Sequence, residues 1–376
     1  MGNRTDSRSQ ALDLLRFPLA VVILTVHVFG TGVLAVHGVE YSLENIPVMS
    51  GVMGFINAFL RDQSVPIYFF ISGYVFFLGR EFTGEVYLAK LKNRIKTLFV
   101  PYLIWNTLAI LIKATLFMPC LHSFLPGMAS VDMDWSFTSV LQCYWDETKG
   151  VFAALYTDSG SIFPQNAPLW FIRDLMIVVL CTPLIYRFLK WARNYAVWLF
   201  GVSWFVLNYW QLGHVLQLST AFFFFSWGAY LSIAKKDMLE YFERFFKVSL
   251  VAYPLLSLLH VASVYWCPEI TDTIKWLNVV AGLFFAYNVS AWLLRRNVCR
   301  VSPFLASASF FVYVTHWLIY SLLLKLLFYL IEPCMWPGVI SVYLLTIIVL
   351  LFSILAVYYF LKLYATRLTR VLTGRK

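Results

Sequence analysis

Residues 338–362 read GVISVYLLTIIVLLFSILAVYYFLK, and the only charge in the run is its last residue, Lys362. A helix of about 17–25 apolar residues crosses a hydrocarbon core of about 30 Å, because its backbone hydrogen bonds are satisfied internally. The run therefore predicts a membrane-spanning helix. Nine further stretches of similar character lie upstream, near 12–34, 64–79, 97–118, 168–188, 195–212, 217–234, 248–266, 274–293 and 304–330. The second is short and extends back toward Val52 through Arg61 and Asp62. The fifth and sixth are separated only by the Tyr209–Leu216 region and predict a tight helical hairpin. An all-α, polytopic membrane helical bundle of about ten transmembrane helices follows, as one integral-membrane domain over 1–376.

Composition agrees. The chain is 61% apolar and 13% charged, with a mean hydropathy of +0.74. Soluble domains carry about 25% charge and about 45–50% apolar residues, so an ordinary soluble domain, a disordered tail and a collagen-like rod are excluded. A net charge of +10 in a soluble protein suggests a nucleic-acid partner, but here the location of the charges points elsewhere. With a cytoplasmic amino terminus and residues near span ends counted with the adjoining segment, 23 of the 29 basic residues fall inside, four fall outside, and Arg173 and Lys325 are left within spans. Acidic residues show the reverse bias, with eleven outside and seven inside. This is the positive-inside pattern, and an even number of spans leaves both termini cytoplasmic.

The first apolar run carries Arg16 and His27 and lacks a small-x-small cleavage site, so it reads as a retained helix rather than a signal peptide. The longest external stretch, 119–167, is rich in Asp, Ser, Trp and Tyr and either caps an outer opening or serves as a linker. Of six cysteines, Cys120, Cys143, Cys267 and Cys334 fall outside, where oxidation is permitted. Cys120–Cys143 within one loop is the better-supported pairing, and Cys267–Cys334 the weaker. No Cys/His cluster has the spacing of a zinc site, and no metal is expected.

Most of the apolar surface faces lipid or packs helices. The informative residues are those that are expensive to expose to lipid. Arg16 and His27 are eleven residues apart. That spacing is about 20° beyond three helical turns, so both point to nearly one face at about 16 Å axial separation. Imidazole is the side chain whose ordinary pKa suits proton exchange near neutrality, though a histidine packed across helices is the alternative. Asp13 lies three positions before Arg16 and either orients it or balances a surface charge. Pro18 can kink the helix and free a carbonyl.

Lys90, Arg94 and Lys96 form a basic collar before FVPYLIWN at 99–106, with Lys90 and Arg94 at i,i+4 spacing. Such cations hold phosphates, hold anionic lipid heads, or set topology. In the block 168–175, Trp170 and Arg173 share a helical face. Arg173 and Asp174 diverge by about 100°, so each is expected to need its own partner. The block suits either a hydroxyl-bearing substrate or an interhelical network. Tyr313 and His316 share a face, with Ser309 a turn earlier and Lys325 farther toward the outside. His37, His122, His214 and His260 have no comparable constellation.

Taken in order, LDLLRFPLAVVILTVH at 12–27, FFISGYVFF at 69–77, the basic stretch before FVPYLIWN, PLWFIRDL at 168–175 and SASFFVYVTHWLIY at 307–320 resemble the acyltransferase-3 family of integral-membrane acyltransferases. The likeness is to its compact bacterial O-acetyltransferase members and covers nearly the whole chain. It implies transfer of an acyl group, by default acetyl, from cytoplasmic acyl-CoA to a hydroxyl of a glycan or lipid-linked saccharide, in a bacterial inner membrane. Arg16 and His27 match the family's essential first-helix Arg and His and are the expected catalytic residues, with His27 the one expected to carry the chemistry. Lys90, Arg94 and Lys96, with Arg16, match the cationic CoA-binding region, although the paired-Arg pattern is loosened here. Trp170, Arg173, Asp174, Tyr313 and His316 fall in matching neighbourhoods and are the expected acceptor-binding residues. The competing class is a secondary transporter with a buried polar site, and a noncatalytic scaffold explains the buried polar residues least well.

Overall fold

The computed structural model describes residues 2–36, 38–43, 46–79, 81–117, 132–156, 162–210, 212 and 215–374. Nearly every element among them is helical. Helix α1 spans Gly2–Phe29 and so begins before the expected span and ends short of it. Gly30 and Gly32 follow, and Leu34, the last residue of the expected span, opens a small hairpin. Its strands β1 (Leu34–Val36) and β2 (Val39–Tyr41) pair antiparallel, turning at Gly38 with φ +77°.

Helices α2 (Pro47–Ile56) and α3 (Ser64–Phe77) are joined by a π-helical turn at Asn57–Arg61, so the backward extension through Arg61 and Asp62 is largely helical. A second π-helical turn, Ile95–Phe99, links α4 (Gly84–Arg94) to α5 (Val100–Leu116). After the segment that holds α6 (Phe137–Gln142) come α7 (Trp170–Leu180), α8 (Thr182–Ala192), α9 (Asn194–Tyr209) and α10 (Val215–Ile233). The chain continues through α11 (Met238–Glu243), α12 (Phe246–Trp266), α13 (Thr271–Arg295), α14 (Pro303–Ile331), α15 (Trp336–Tyr364) and α16 (Thr366–Thr373).

Six helices among the described residues are long and apolar enough to cross a membrane: Gln10–Phe29, Gly84–Leu116, Phe246–Trp266, Pro268–Arg295, Pro303–Ile331 and Trp336–Tyr364. Ala167–Leu180 with Thr182–Ala192, bent by 63°, makes a seventh if taken as one span. Pro183 accounts for the bend, since it has no N–H and its ring excludes the Val179 carbonyl. That carbonyl instead accepts the Thr182 hydroxyl at 2.7 Å. Of the three other expected spans, α3 has 14 residues and α9 has 16, which are short against the roughly 20 of a full crossing, and α10, with 19, is not among the helices apolar enough to cross.

The chain divides into two compact units, residues 1–26, 47–90 and 177–309, and residues 27–46, 91–176 and 310–376. In the first, α3 and α10 meet backbone to backbone. A Cβ on Gly73 would strike the Phe225 carbonyl, and one on Gly228 would strike that of Phe70. Small residues permit this approach where no hydrophobic effect drives helices together. Between α12 and α13 a buried polar seam runs through Asn278 and Asn288. Asn278 Nδ2 donates to the Ala58 carbonyl at 2.6 Å, and its Oδ1 accepts Ser257 Oγ at 3.1 Å. Asn288 Nδ2 reaches the Phe242 carbonyl at 3.0 Å.

In the second unit the segment over 132–156 is folded against α5. Ile110 packs with Cys143, Val151 and Phe152. Asn166 donates its N–H to Asn106 Oδ1 and its Nδ2 to the Val314 carbonyl, both at 3.0 Å. Trp105 Nε1 donates to the Leu372 carbonyl at 2.9 Å, which anchors α16. Cys143 is a buried free thiol whose sulfur accepts the Val151 N–H at 3.2 Å. Cys120 lies outside the described residues. Cys267 and Cys334 are also free, so the pairing entertained for them is not formed. Trp191, Trp266 and Tyr364, at the ends of α8, α12 and α15, are 80–86% exposed. Aromatic rings so placed suit the membrane–water interface.

Candidate active site

The last turn of α1 carries His27, a half-buried side chain of the second unit. Its ring stacks on that of His316 with centroids 5.4 Å apart and planes at 28°. Trp317 meets it edge-on at 5.0 Å. His316 is fully buried on α14, and its Nδ1 lies 3.1 Å from the Val312 carbonyl. A carbonyl only accepts, so Nδ1 carries the proton and Nε2 keeps its lone pair. That Nε2 has no hydrogen-bond partner among the described residues. Tyr313 lies 6.3 Å from His316, ring to ring, and donates its hydroxyl to the Pro168 carbonyl. Just beyond α1, the Thr31 hydroxyl donates to the Val28 carbonyl at 2.9 Å and is hydrogen-bonded to Tyr320.

Arg16 sits on α1 within the first unit. Its guanidinium pairs with Asp13 at 2.6 Å, both side chains being about a third exposed, and its carbonyl accepts the Tyr68 hydroxyl at 2.6 Å. Asp13 therefore orients Arg16, one of the two roles open to it from sequence.

The basic collar is less uniform than its spacing suggests. Lys90 donates to the Phe76 carbonyl and lies 4.9 Å over the Phe76 ring. Arg94 is half-buried at the end of α4, whereas Lys96 is exposed within the π-helical turn. Lys96, two positions after Arg94, falls on the other side of the helix from the face that Lys90 and Arg94 share.

Arg173 and Asp174 overturn the expectation of separate partners. Arg173 Nε pairs with Asp174 at 2.8 Å, and the side chains are 3% and 0% exposed. The guanidinium arm is long enough to fold back across the angle between adjacent helical positions. Its Nη1 also donates to the carbonyls of Trp145 and Ile162, at 2.9 and 3.1 Å, and its plane lies 4.9 Å from the Trp145 ring. This pair clamps Trp145 and Ile162 to α7. Trp170, half-buried, opens that helix.

Over residues 9–358 the chain matches the acyltransferase domain that defines the acyltransferase-3 family. The chain belongs to the acyltransferase-3 family. No curated protein and no solved structure matches it. Membership together with the long apolar helices supports a membrane-associated acyl-transfer activity. Among the described residues, no group of three or more His, Cys, Asp or Glu is placed to hold a metal ion.

Sequence reasoning about this acyltransferase missed several residues. Trp317 follows His316 in the sequence, but its contact with His27 depends on how α1 and α14 pack. A second polar cluster joins α5 to the segments over 132–156 and 162–166. Lys113 donates to the Tyr156 hydroxyl and lies 4.2 Å from its ring, while Gln165 Nε2 donates to the same hydroxyl at 2.9 Å. Glu147 is buried beside them and hydrogen-bonded to Tyr156. Burial pushes the Glu147 carboxyl up to about 7, against the opposing pull of Tyr156 and Lys113. At neighbouring Asp146 burial acts in the same direction, but hydrogen bonds from Thr148 and Lys149 prevail and hold it below the usual range. These residues form no common constellation in the sequence, since they come together only as α5 and the segments over 132–156 and 162–166 pack.

Proposed function

We propose that this acyltransferase moves an acyl group, acetyl by default, from acyl-CoA to a hydroxyl of a glycan or lipid-linked saccharide. It acts as a single catalytic domain in the bacterial inner membrane. Ten crossings put both termini in the cytoplasm, with 119–167 as the extracytoplasmic loop. The observation that carries the reading is His27, in the last turn of the first membrane helix, stacked on the buried His316 in a chain of this family.

His27 is the catalytic residue of this reading. As general base it takes the acceptor's hydroxyl proton while the alkoxide oxygen attacks the thioester carbonyl. The carbon–sulfur bond then breaks, CoA leaves as thiolate, and the proton on His27 is available to it. An acyl-histidine route is the two-step variant of the same chemistry. His316 holds the His27 ring by stacking, and its Nε2 lone pair can take a hydrogen bond from the acceptor or from the protonated His27. Arg94 and Lys96 meet the phosphates of CoA, Lys90 holds α4 to the Phe76 carbonyl, and Arg16 serves the use of CoA or the turnover from the first helix. Trp170 and Tyr313 contact the acceptor. Arg173 and Asp174 act through the loop they clamp, and are positioning residues.

Membranes containing the protein, incubated with isotopically labelled acetyl-CoA, test the reaction. Mass measurement is expected to find label on a glycan or lipid-linked saccharide. Substrate flux across the membrane without covalent change would reject it in favour of a transporter.

A further inference from the structure

A cleft of 310 Å³ lies within the second unit, on the side of α14 that carries Trp317. We propose that this cleft, lined by Lys113, Tyr156, Gln165, Trp317, Tyr320 and Lys325, receives the acceptor as a hydroxylated saccharide bearing a negative charge. The assignment rests on the acyl-transfer reading for the word acceptor, but the binding it asserts stands without that reading.

Three observations carry it. First, Gln165 is 3% exposed, its Nε2 is committed to Tyr156, and its Oε1 has no partner. A buried acceptor atom left open in this way costs roughly 1–3 kcal/mol unless a donor arrives, and a sugar hydroxyl is such a donor. The Tyr156 hydroxyl cannot serve, since it already meets Lys113, Gln165 and Glu147.

Second, the charges do not cancel. Lys113 has Glu147 nearby, whereas Lys325, half-buried on an apolar helix, has no acidic partner among the described residues. A cation at membrane depth calls for an anion or an aqueous cavity, and here it lines the cavity. A neutral lipid chain satisfies neither Gln165 nor Lys325.

Third, the cleft adjoins the chemistry. Trp317 forms part of its wall and presents its edge to His27 at 5.0 Å. Tyr320, in the same wall, is hydrogen-bonded to Thr31, whose hydroxyl caps the α1 turn that carries His27. Aromatic walls with a few convergent polar groups suit a sugar ring, and the volume fits one sugar unit better than a chain.

The test uses the full chain in phosphatidylcholine nanodiscs, titrated with glucose 1-phosphate, glucuronate and glucose and read by thermal stabilisation. The two charged sugars separate phosphate from carboxylate recognition. Each is expected to bind roughly tenfold tighter than glucose if a charged hydrogen bond is made; a preference for only one of them identifies the anion and still supports the cleft. Lys325→Gln should abolish the difference, Lys325→Arg should restore it, and Gln165→Leu should weaken all three sugars. Equal binding of the three sugars, or a preference that survives Lys325→Gln in a protein of unchanged unliganded stability, overturns the proposal. Lys325-dependent stabilisation by phosphatidylglycerol with none by sugars also overturns it, since the cleft would then hold a lipid headgroup. Acetyl transfer from labelled acetyl-CoA to the same sugars is followed in parallel. Charge-selective binding without transfer would leave the cleft assignment standing and defeat the acyl-transfer reading instead.

Discussion

Two pairs of ionisable side chains in the second unit, His27 with His316 and Arg173 with Asp174, occupy membrane helices and finish their bonding differently. The guanidinium is spent on a carboxylate and two loop carbonyls, at 2.8 to 3.1 Å. The imidazole of His316 spends one nitrogen on a backbone carbonyl and keeps the other open, facing a partner ring rather than a hydrogen bond. Both pairs are costly to place in an apolar bundle. The Arg173–Asp174 pair recovers that cost through its bonds to the loop, while His316 keeps a ring nitrogen without a hydrogen-bond partner among the described residues. An ionisable pair at membrane depth can thus be spent on joining segments of the chain, which its charge alone does not reveal.

The comparison can be broken in several ways. His27→Ala should lower acyl transfer by about 10²- to 10⁴-fold, the range for a lost general base, with an unfolding transition like that of the parent. Arg173→Ala should act in the opposite sense. Leaving a buried carboxylate unpaired costs about 3–5 kcal/mol, so the yield and the unfolding midpoint fall while the surviving folded protein turns over nearly normally. A large loss of turnover at unchanged stability would move Arg173 into the chemistry. His316→Phe keeps a stacking ring but removes the Nε2 lone pair. It should reduce kcat by about tenfold with the KM for acyl-CoA unchanged, measured by steady-state kinetics.

Glu147 sharpens the contrast at the smallest scale. Its carboxyl is pushed up to about 7 in the folded chain, from an ordinary 4.5. Between those values the folded state holds a proton that the unfolded state has released. The fold around Glu147 should therefore lose stability as pH rises through that window, by at most about 1.4 kcal/mol per pH unit, and level off above it. Lys113, Tyr156 and Asp146 are the groups that face it. Hydrogen exchange over residues 132–156 should show this slope in the parent and its absence in Glu147→Gln. A slope that persists in the variant would assign the titration to another group.

Much of this was legible in the sequence, for reasons that differ by residue. The run at 338–362 needs no partner to declare itself a span, and the late helix over 304–330 appears nearly as expected, as Pro303–Ile331. Arg16 and His27 were legible because a continuous helix fixes their spacing. The short second span and its backward extension were legible too, whereas the bend at Pro183 and the short α9 were not, since the bend depends on where a carbonyl is freed. The Arg173–Asp174 clamp was misjudged because angular spacing describes Cβ directions, whereas a guanidinium reaches several bonds farther. Trp317, Gln165 and Glu147 carry no local signal, and their roles emerge only when α14, α5 and the segments over 132–156 and 162–166 pack.

The central claim is that the imidazole of His27 carries the acyl-transfer step. Purified protein reconstituted in membranes of the producing cell, given labelled acetyl-CoA in a single turnover, tests it most directly when His27→Ala and Arg173→Lys are compared per folded molecule. Label should reach the saccharide fraction with the parent and with Arg173→Lys, and fail to reach it with His27→Ala. Transfer by folded His27→Ala at the parental rate would contradict the account.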